Sequence, residues 1–385
     1  MIRRLPFVAL AAVLSLSVAS CSSSSTATSN APDAGVSSKA QQALDQIKGQ
    51  VLSKGPNGET PSPASAADLT PDEIQKVKGL NAKAAIVMHY GGNDWANAQI
   101  NGLKSEFEKL GIKVIATTDA NFKPDKQVSD IETVMSQNPN VIVSIPTDPV
   151  ATASAYKKAA AAGTKLVFMD NVPQGLTAGQ DYVSVVSADN YGNGVVSAHQ
   201  MAKALGGKGK IGLVFHQADF FVTKQRYQGF KETITKEYPD IKIVEEKGIA
   251  GPDFAGDAQA AANAMLSKYA DLSGIWAVWD VPAEGVMAAA RAAGRPDLKI
   301  ATEDLGKNVA IALAKDELVV GLGAQVPFDQ GVTEARLAAG ALIGKKAPAY
   351  VALSALPVDH SNVLDSWKQV YHEDAPKDIQ DSYKK

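Results

Sequence analysis

The chain has 385 residues, of which 38 are Lys or Arg, 41 are Asp or Glu and one is Cys. A net charge of −3 and an isoelectric point near 6.0 leave no basic footprint for nucleic acid, and a lone thiol excludes both an intrachain disulfide and a zinc site with paired thiolates. Hydrophobic residues at 45% and charged residues at 21% are ordinary for a globular protein, but the length exceeds what one core usually serves, so two lobes are expected.

The N-terminus reads as an export signal: Arg3 and Arg4 precede an apolar run from Leu5 to Ala19, and small residues then lead to Cys21. That run is 15 residues long, short of the ~20 that a membrane-spanning helix needs. Val18-Ala19-Ser20-Cys21 resembles the lipobox of bacterial lipoproteins, which implies that residues 1–21 are removed or modified as a signal and that the Cys21 thiol is lipidated. The protein would then sit on the cell membrane, lipid-anchored and facing outside the cytoplasm. From Ser22 to about Gly35 the chain is polar and aperiodic, and reads as a tether. Ala40, Leu44, Ile47 and Val51 recur at helical spacing. Thr70-Pro71-Asp72-Glu73 combines an N-cap, a Pro at the first helical position and a capping-box Glu. Residues 22–81 are thus expected to be tether and short helices, with the compact body beginning near Ala82.

Beyond that point apolar, β-rich runs alternate with helical patterns. The runs are Ala84 to His89, Ile112 to Thr117, Val141 to Pro146, Lys165 to Met169, Lys210 to Phe215, Ile241 to Glu245, Gly274 to Val278 and Leu298 to Thr302. Such alternation predicts parallel sheets covered by helices. Ile100, Leu103, Phe107 and Leu110 form an apolar stripe, and Gly111 supplies a left-handed C-cap after it. The Ala-rich helix 151–162, Gly163 and a strand ending at Asp170 look like 283–293, Gly294 and a strand ending near Asp304. Ligands of open parallel sheets sit beyond the carboxyl ends of the strands, so facing lobes would aim both carboxylates into one cleft.

Gly207-Lys208-Gly209-Lys210-Ile211-Gly212 matches GxGxxG, but it precedes a strand where a dinucleotide loop must follow one, so it reads as a turn. No GxxxxGK[ST], GxSxG or HExxH motif occurs, and the five histidines are scattered. No catalytic apparatus, cofactor or metal site is expected, and so no enzyme. What recurs at strand ends is a set suited to gripping hydroxyls and a sugar face: His89 to Trp95, Asp170-Asn171, Phe254, Trp279-Asp280, Asp304 and Gln325.

At these residues the chain resembles the ribose-binding-protein type of periplasmic sugar-binding proteins, from about Ala84 to Pro357. The segments that carry the resemblance are Ala85 to His89 with Asn93-Asp94-Trp95 and Asn101-Gly102, then Ile145-Pro146-Thr147-Asp148 and Phe168-Met169-Asp170. Ser187-Ala188-Asp189-Asn190-Tyr191-Gly192 and Arg226-Tyr227-Gln228-Gly229-Phe230 complete them. The resemblance implies an α/β fold of type I periplasmic binding protein kind, with two Rossmann-like lobes of parallel sheet joined by a three-strand hinge. It implies a first lobe of 82–188 plus 326–355 and a second of 189–325 plus 356–385. His89, Asn93, Trp95, Asp170 and Asn171 would line the first lobe's side of the cleft, and Arg226, Phe254, Trp279, Asp304 and Gln325 the second lobe and hinge.

By resemblance, then, the protein is the extracytoplasmic, monomeric binding component of an ABC importer, with a permease and its ATPase as partners. A sensory binding protein that presents the same ligand to a receptor stays open as an alternative. A sugar-responsive repressor of the same fold would need a DNA-binding head where the export signal stands. Two departures bear on the ligand: Asn171 stands where the family has Arg, and Trp279 where it has Asn. A cation is lost and a ring gained, so a small neutral ligand is expected, a four- or five-carbon polyol such as xylitol or threitol, with a pentose next.

Overall fold

The structure, a computed structural model, describes residues 34–384; the signal and Cys21 lie outside them. Two helices come first, α1 (Ala34–Ile47) and α2 (Pro71–Lys78). There follow β1 (Lys83–Met88), α3 (Asp94–Lys109), β2 (Lys113–Asp119), α4 (Pro124–Met135), β3 (Val141–Ser144), α5 (Ala153–Ala161), β4 (Lys165–Met169) and β5 (Ser184–Ala188). The chain then builds α6 (Asn190–Leu205), β6 (Gly209–His216), α7 (Phe221–Glu237), β7 (Ile241–Ile249), α8 (Phe254–Lys268), β8 (Leu272–Ala277), α9 (Asp280–Ala292), β9 (Lys299–Glu303), α10 (Lys307–Ala314) and β10 (Val319–Ala324). It ends with α11 (Pro327–Leu342), β11 (Tyr350–Leu353), β12 (Leu356–Val358), α12 (Val363–Tyr371) and α13 (Lys377–Ser382).

Two six-stranded sheets result, in the orders β11-β5-β4-β3-β1-β2 and β12-β10-β9-β8-β6-β7. Every pairing is parallel except β10 with β12. Parallel strands are covered by helices on both faces, and Ala84 to Met88 and Ile275 to Ala277 accordingly lie fully buried without polar alternation. The chain passes between the sheets three times, at Ala188 to Asn190, Ala324 to Pro327 and Leu353 to Leu356. The expected two α/β lobes are present.

Local expectations hold where periodicity was strong. Leu103 and Phe107 of α3 are fully buried, and Gly111 is left-handed at φ 69°. The capping box of α2 forms, with the Glu73 amide donating to Thr70 Oγ1 and the Thr70 amide donating back to the Glu73 carboxylate. Strands β5, β10, β11 and β12 are not among the predicted runs, and for β10 its two glycines explain why. A Cβ at Gly323 would come within 2.5 Å of the Asn193 carbonyl oxygen on α6, so packing erased the β-branched signal that strand prediction relies on.

One expectation needs correction: compact structure begins well before Ala82. Ala40 and Leu44 of α1 are buried against α6, while Ala67 and Val77 are buried beside α11. The cause is the small apolar face on each short helix, read in the sequence for α1 as a helical stripe but not as a face docked on the lobes.

Candidate functional site

The strands β4 and β9 end alike. The Asp170 amide donates to Val186 O of β5 at 2.9 Å and the Asp304 amide to Gly323 O of β10 at 3.1 Å, each continuing its ladder by one bond. Both aspartates then turn left-handed, with φ 55° and 65°. That conformation is costly for most side chains but open to Asp, whose short carboxylate can bond locally. Both carboxyl groups thereby come to line one cavity between the lobes.

Arg226 reaches the same cavity because α6 and α7 cross at backbone contact. A Cβ at Gly229 would lie 2.2 Å from Tyr191 O, and one at Gly194 would lie 2.1 Å from Arg226 O. With that approach Arg226 grips Asp304 two-pronged, Nη1 donating to Oδ2 at 2.9 Å and Nη2 to Oδ1 at 3.2 Å. Its Nε donates to Asn190 Oδ1 and its Nη1 also to Val278 O, so four of its five N–H groups have work and one on Nη2 is left. Gln325 Nε2 donates to Asp304 Oδ1 at 3.0 Å. On the other side, Asn190 Nδ2 donates to Ser187 Oγ, which donates to Asp170 Oδ1 at 2.5 Å. One hydrogen-bonded line thus runs from Asp304 to Asp170 through the first crossover.

Two carboxylates lack a cation. Asp170 is 2% exposed and has no ion-pair partner among the described residues; burial pushes its pKa up to about 6, against the pull of the Ser187 hydroxyl. Asp280, the first residue of α9, is also buried on the cavity wall, and burial with Asp304 and Glu284 nearby holds it well above the usual carboxylate range. Burial likewise pushes His89 down to about 3 and lowers His216, so both imidazoles are neutral at ordinary pH.

Of the residues expected at the site, His89, Asn93, Trp95, Asp170, Arg226, Trp279, Asp304 and Gln325 line this cavity, which measures about 70 Å³. Asn171 and Phe254 do not. Asn171 is buried behind the wall, donating from Nδ2 to Pro146 O at 3.1 Å, and Phe254 backs Trp279 with ring centroids 5.0 Å apart. Tyr90 and Asp280, which fall in the strand-end stretches His89 to Trp95 and Trp279-Asp280 but were not singled out as ligand-binding, line the cavity too, and sequence reasoning missed Phe122, His216, Phe220 and Thr223. His216 ends strand β6, so the strand-end rule applied to it too; Phe122 and Phe220 stand in loops that carry no period. The rings meet between lobes, His89 against Phe220 at 5.8 Å and Phe122 against Phe254 at 5.7 Å. The Lys307 amide also donates to Asp94 Oδ2 at 2.8 Å across the mouth.

Three buried atoms on this wall, His89 Nδ1, Trp95 Nε1 and Gln325 Oε1, have no hydrogen-bond partner. Asn93 spends its Oδ1 on the amide of Ala96, capping α3, which leaves its NH₂ group to donate. The arrangement can bind; no metal-holding cluster of acids, histidines or cysteine occurs among the described residues, and no described helix is long and apolar enough to cross a membrane.

A profile of the periplasmic binding protein domain matches residues 84–346. The chain belongs to that family. This periplasmic binding protein is 28% identical over 253 residues to the ribose import binding protein of Bacillus subtilis (strain 168), covering 64% of this chain and 76% of that one. It is similar to a solved Mycobacterium smegmatis ABC transporter solute binding protein with bound glycerol, at 25% identity and a TM-score of 0.67, over 77% of this chain and 99% of the other. A solved Agrobacterium vitis solute binding protein with bound allitol gives 25% identity and a TM-score of 0.66, over 74% and 98%. The fold, with its cleft between two lobes, is therefore that of a ribose-binding-like type I periplasmic binding protein.

Proposed function

We propose that the protein is the sugar-binding component of an ABC importer and takes a small neutral sugar or sugar alcohol, a four- or five-carbon polyol ahead of a pentose. The observation that carries this is the convergence on one cavity of His89 Nδ1, Trp95 Nε1 and Gln325 Oε1, all buried and unpartnered, because such atoms are rare unless a partner is meant for them. Hydroxyls suit all three, since an O–H both donates and accepts. A space of about 70 Å³ holds about five to seven water molecules, which favours a short ligand over a ring hexose. When ionised, Asp170 and Asp280 can only accept, so each then suits a ligand hydroxyl rather than an ether oxygen. The relatives named for ribose, and solved with glycerol and allitol, support this class.

Residues 82–188 with 326–355 would move as one lobe, and 189–325 with 356–385 as the other, closing on the ligand and presenting the closed form to a permease. Export and attachment through Cys21 rest on Val18-Ala19-Ser20-Cys21. Calorimetry with xylitol, threitol, ribose, xylose and glucose tests the ligand. Tightest binding of a tetritol or pentitol is expected; strong glucose binding with no detectable polyol binding would overturn the small-polyol reading, and no binding of any of the five would overturn sugar binding itself.

A further inference from the structure

Residues 34–81 precede the matched family domain, yet they are attached to both lobes. On the second lobe, α1 packs on α6, and Lys39 Nζ donates to Glu237 O at 3.0 Å. The Leu52 amide, the Ser53 amide and Ser53 Oγ all donate to the Asp189 carboxylate, at 2.8, 2.8 and 2.6 Å, and Gln225 Nε2 donates to Lys54 O. Asp189 opens α6 at the first crossover, where it already accepts from the Gly192 amide. On the first lobe, the Ser62 amide donates to Tyr350 O and the Ala352 amide to Ser62 O, pairing the segment with the edge strand β11. Asp68 then accepts from Arg336 Nη1, and α2 packs on α11, with Glu73 taking Lys345.

Between the two sets of hydrogen-bonded anchors lies Gly55 to Pro61, which is folded rather than slack and begins against the Tyr350 ring, with Val51 just before it packed on the first lobe's core. The Gly55 amide donates to Glu59 O and the Gly58 amide to Gly55 O, while the Glu59 carboxylate holds the Asn57 amide and Nδ2. The lobes it joins are in ring-to-ring contact across the cleft. Asp189 stays at the pivot, its amide donating to Leu353 O of β11 at 2.8 Å, but rotating the lobes apart changes the distance from the body of α6 and from α7 to α11, so either this turn or one set of anchors must yield.

We propose that residues 34–81 form a strap across the hinge that biases the protein toward the closed arrangement, so that ligand release requires the strap to slip. The proposal uses the hinge motion of the functional reading but not its ligand. It is tested without ligand, on the full-length chain, by small-angle scattering together with hydrogen exchange. Ser62→Pro removes the donor to Tyr350 O, and Ser62→Pro with Asp68→Ala also removes the Arg336 anchor. Both should enlarge the radius of gyration and raise exchange at the Ala352 amide by about tenfold. Ser53→Ala, which leaves the first-lobe anchors alone, should act in the same direction by less. Unchanged scattering in the variants while the Ala352 amide exchanges faster would overturn the strap, as would unchanged exchange at Ala352. Failure of every sugar to bind leaves this result standing, and an intact sugar affinity does not rescue it.

Discussion

Asp170 and Asp304 occupy matching places at the ends of β4 and β9, with the same left-handed backbone and the same last ladder bond, yet their electrostatic settings are opposite. Asp304 is clasped by a two-pronged guanidinium and a Gln amide. Asp170 has one hydroxyl and no ion-pair partner among the described residues, Arg226 acting on it only from a distance, and burial holds its pKa near 6. Geometry repeated in both lobes does not repeat chemistry. The second lobe offers a charged, locked wall, and the first a carboxyl whose proton is within reach of mild acid.

Replacing Asp304 should break the comparison most severely. Asp304→Ala strands Arg226, which is 2% exposed, as an uncompensated buried charge. Removing one partner of a buried pair costs about 3 to 5 kcal/mol, so thermal or urea unfolding should register a loss of that order besides any loss of binding. Asp304→Asn keeps an acceptor and should retain much of the fold while weakening sugar binding by about ten- to a hundredfold. Equal stability of the wild type and Asp304→Ala would show that the pair is not the anchor its geometry describes.

Asp170 should respond to pH. Its pKa is raised from 3.8 to about 6, so between these values the folded protein keeps a proton that the unfolded chain releases. Its stabilising contribution is therefore full below about pH 4 and is lost as pH rises toward about 6, a change of about 3 kcal/mol. Glu303, pushed up to about 8 by burial, and Glu334 slope the same way, so the difference between wild type and Asp170→Asn isolates Asp170. Binding has the opposite sign. A ligand hydroxyl that donates to the carboxylate selects its ionised form, and affinity should fall about tenfold from pH 7 to pH 5. A slope that persists in Asp170→Asn would assign it to another group.

Both carboxylates were legible in the sequence because a rule of topology places ligands beyond parallel strand ends, and the doubled helix-Gly-strand-Asp pattern made the two ends recognisable. The difference between them was not legible. It depends on Arg226, brought to one side by the contact of α6 and α7 at Gly194 and Gly229, and no spacing along the chain tells which of two distant acids a guanidinium will reach. The strand runs were readable because buried parallel strands are apolar throughout, whereas β10 was hidden by its glycines, and the stripe of α1, though read as a helix, did not tell that it packs on α6. Asn171 and Phe254 show the limit of strand-end reasoning: each follows the right element, but one side chain turns to Pro146 and the other stands behind Trp279.

The finest probe of the contrast is Ser187, which touches Asp170 but not Asp304. Its hydroxyl donates to Asp170 Oδ1, stabilising the ionised carboxylate, and accepts from Asn190 Nδ2. In Ser187→Ala the Asn190 NH₂ keeps its bond to Ala188 O, and Arg226 keeps both prongs on Asp304, so the second lobe's wall should stand unchanged. Asp170 loses the hydrogen bond that most favours its charge, while the weaker pull of Arg226 and Asn190 remains. The midpoint of the binding–pH profile should move upward by about half to one pH unit, with affinity nearly untouched at pH 8, reduced by less than about twofold at pH 7 and by about three- to tenfold at pH 5. Calorimetric titration of the tightest polyol across pH 5 to 8 reads both quantities. An unshifted midpoint would mean that Asp170 is set by burial alone. A uniform loss at every pH would mean instead that Ser187 acts through Asn190 and Arg226, and that the two walls are one coupled unit rather than a locked side facing a titrating one.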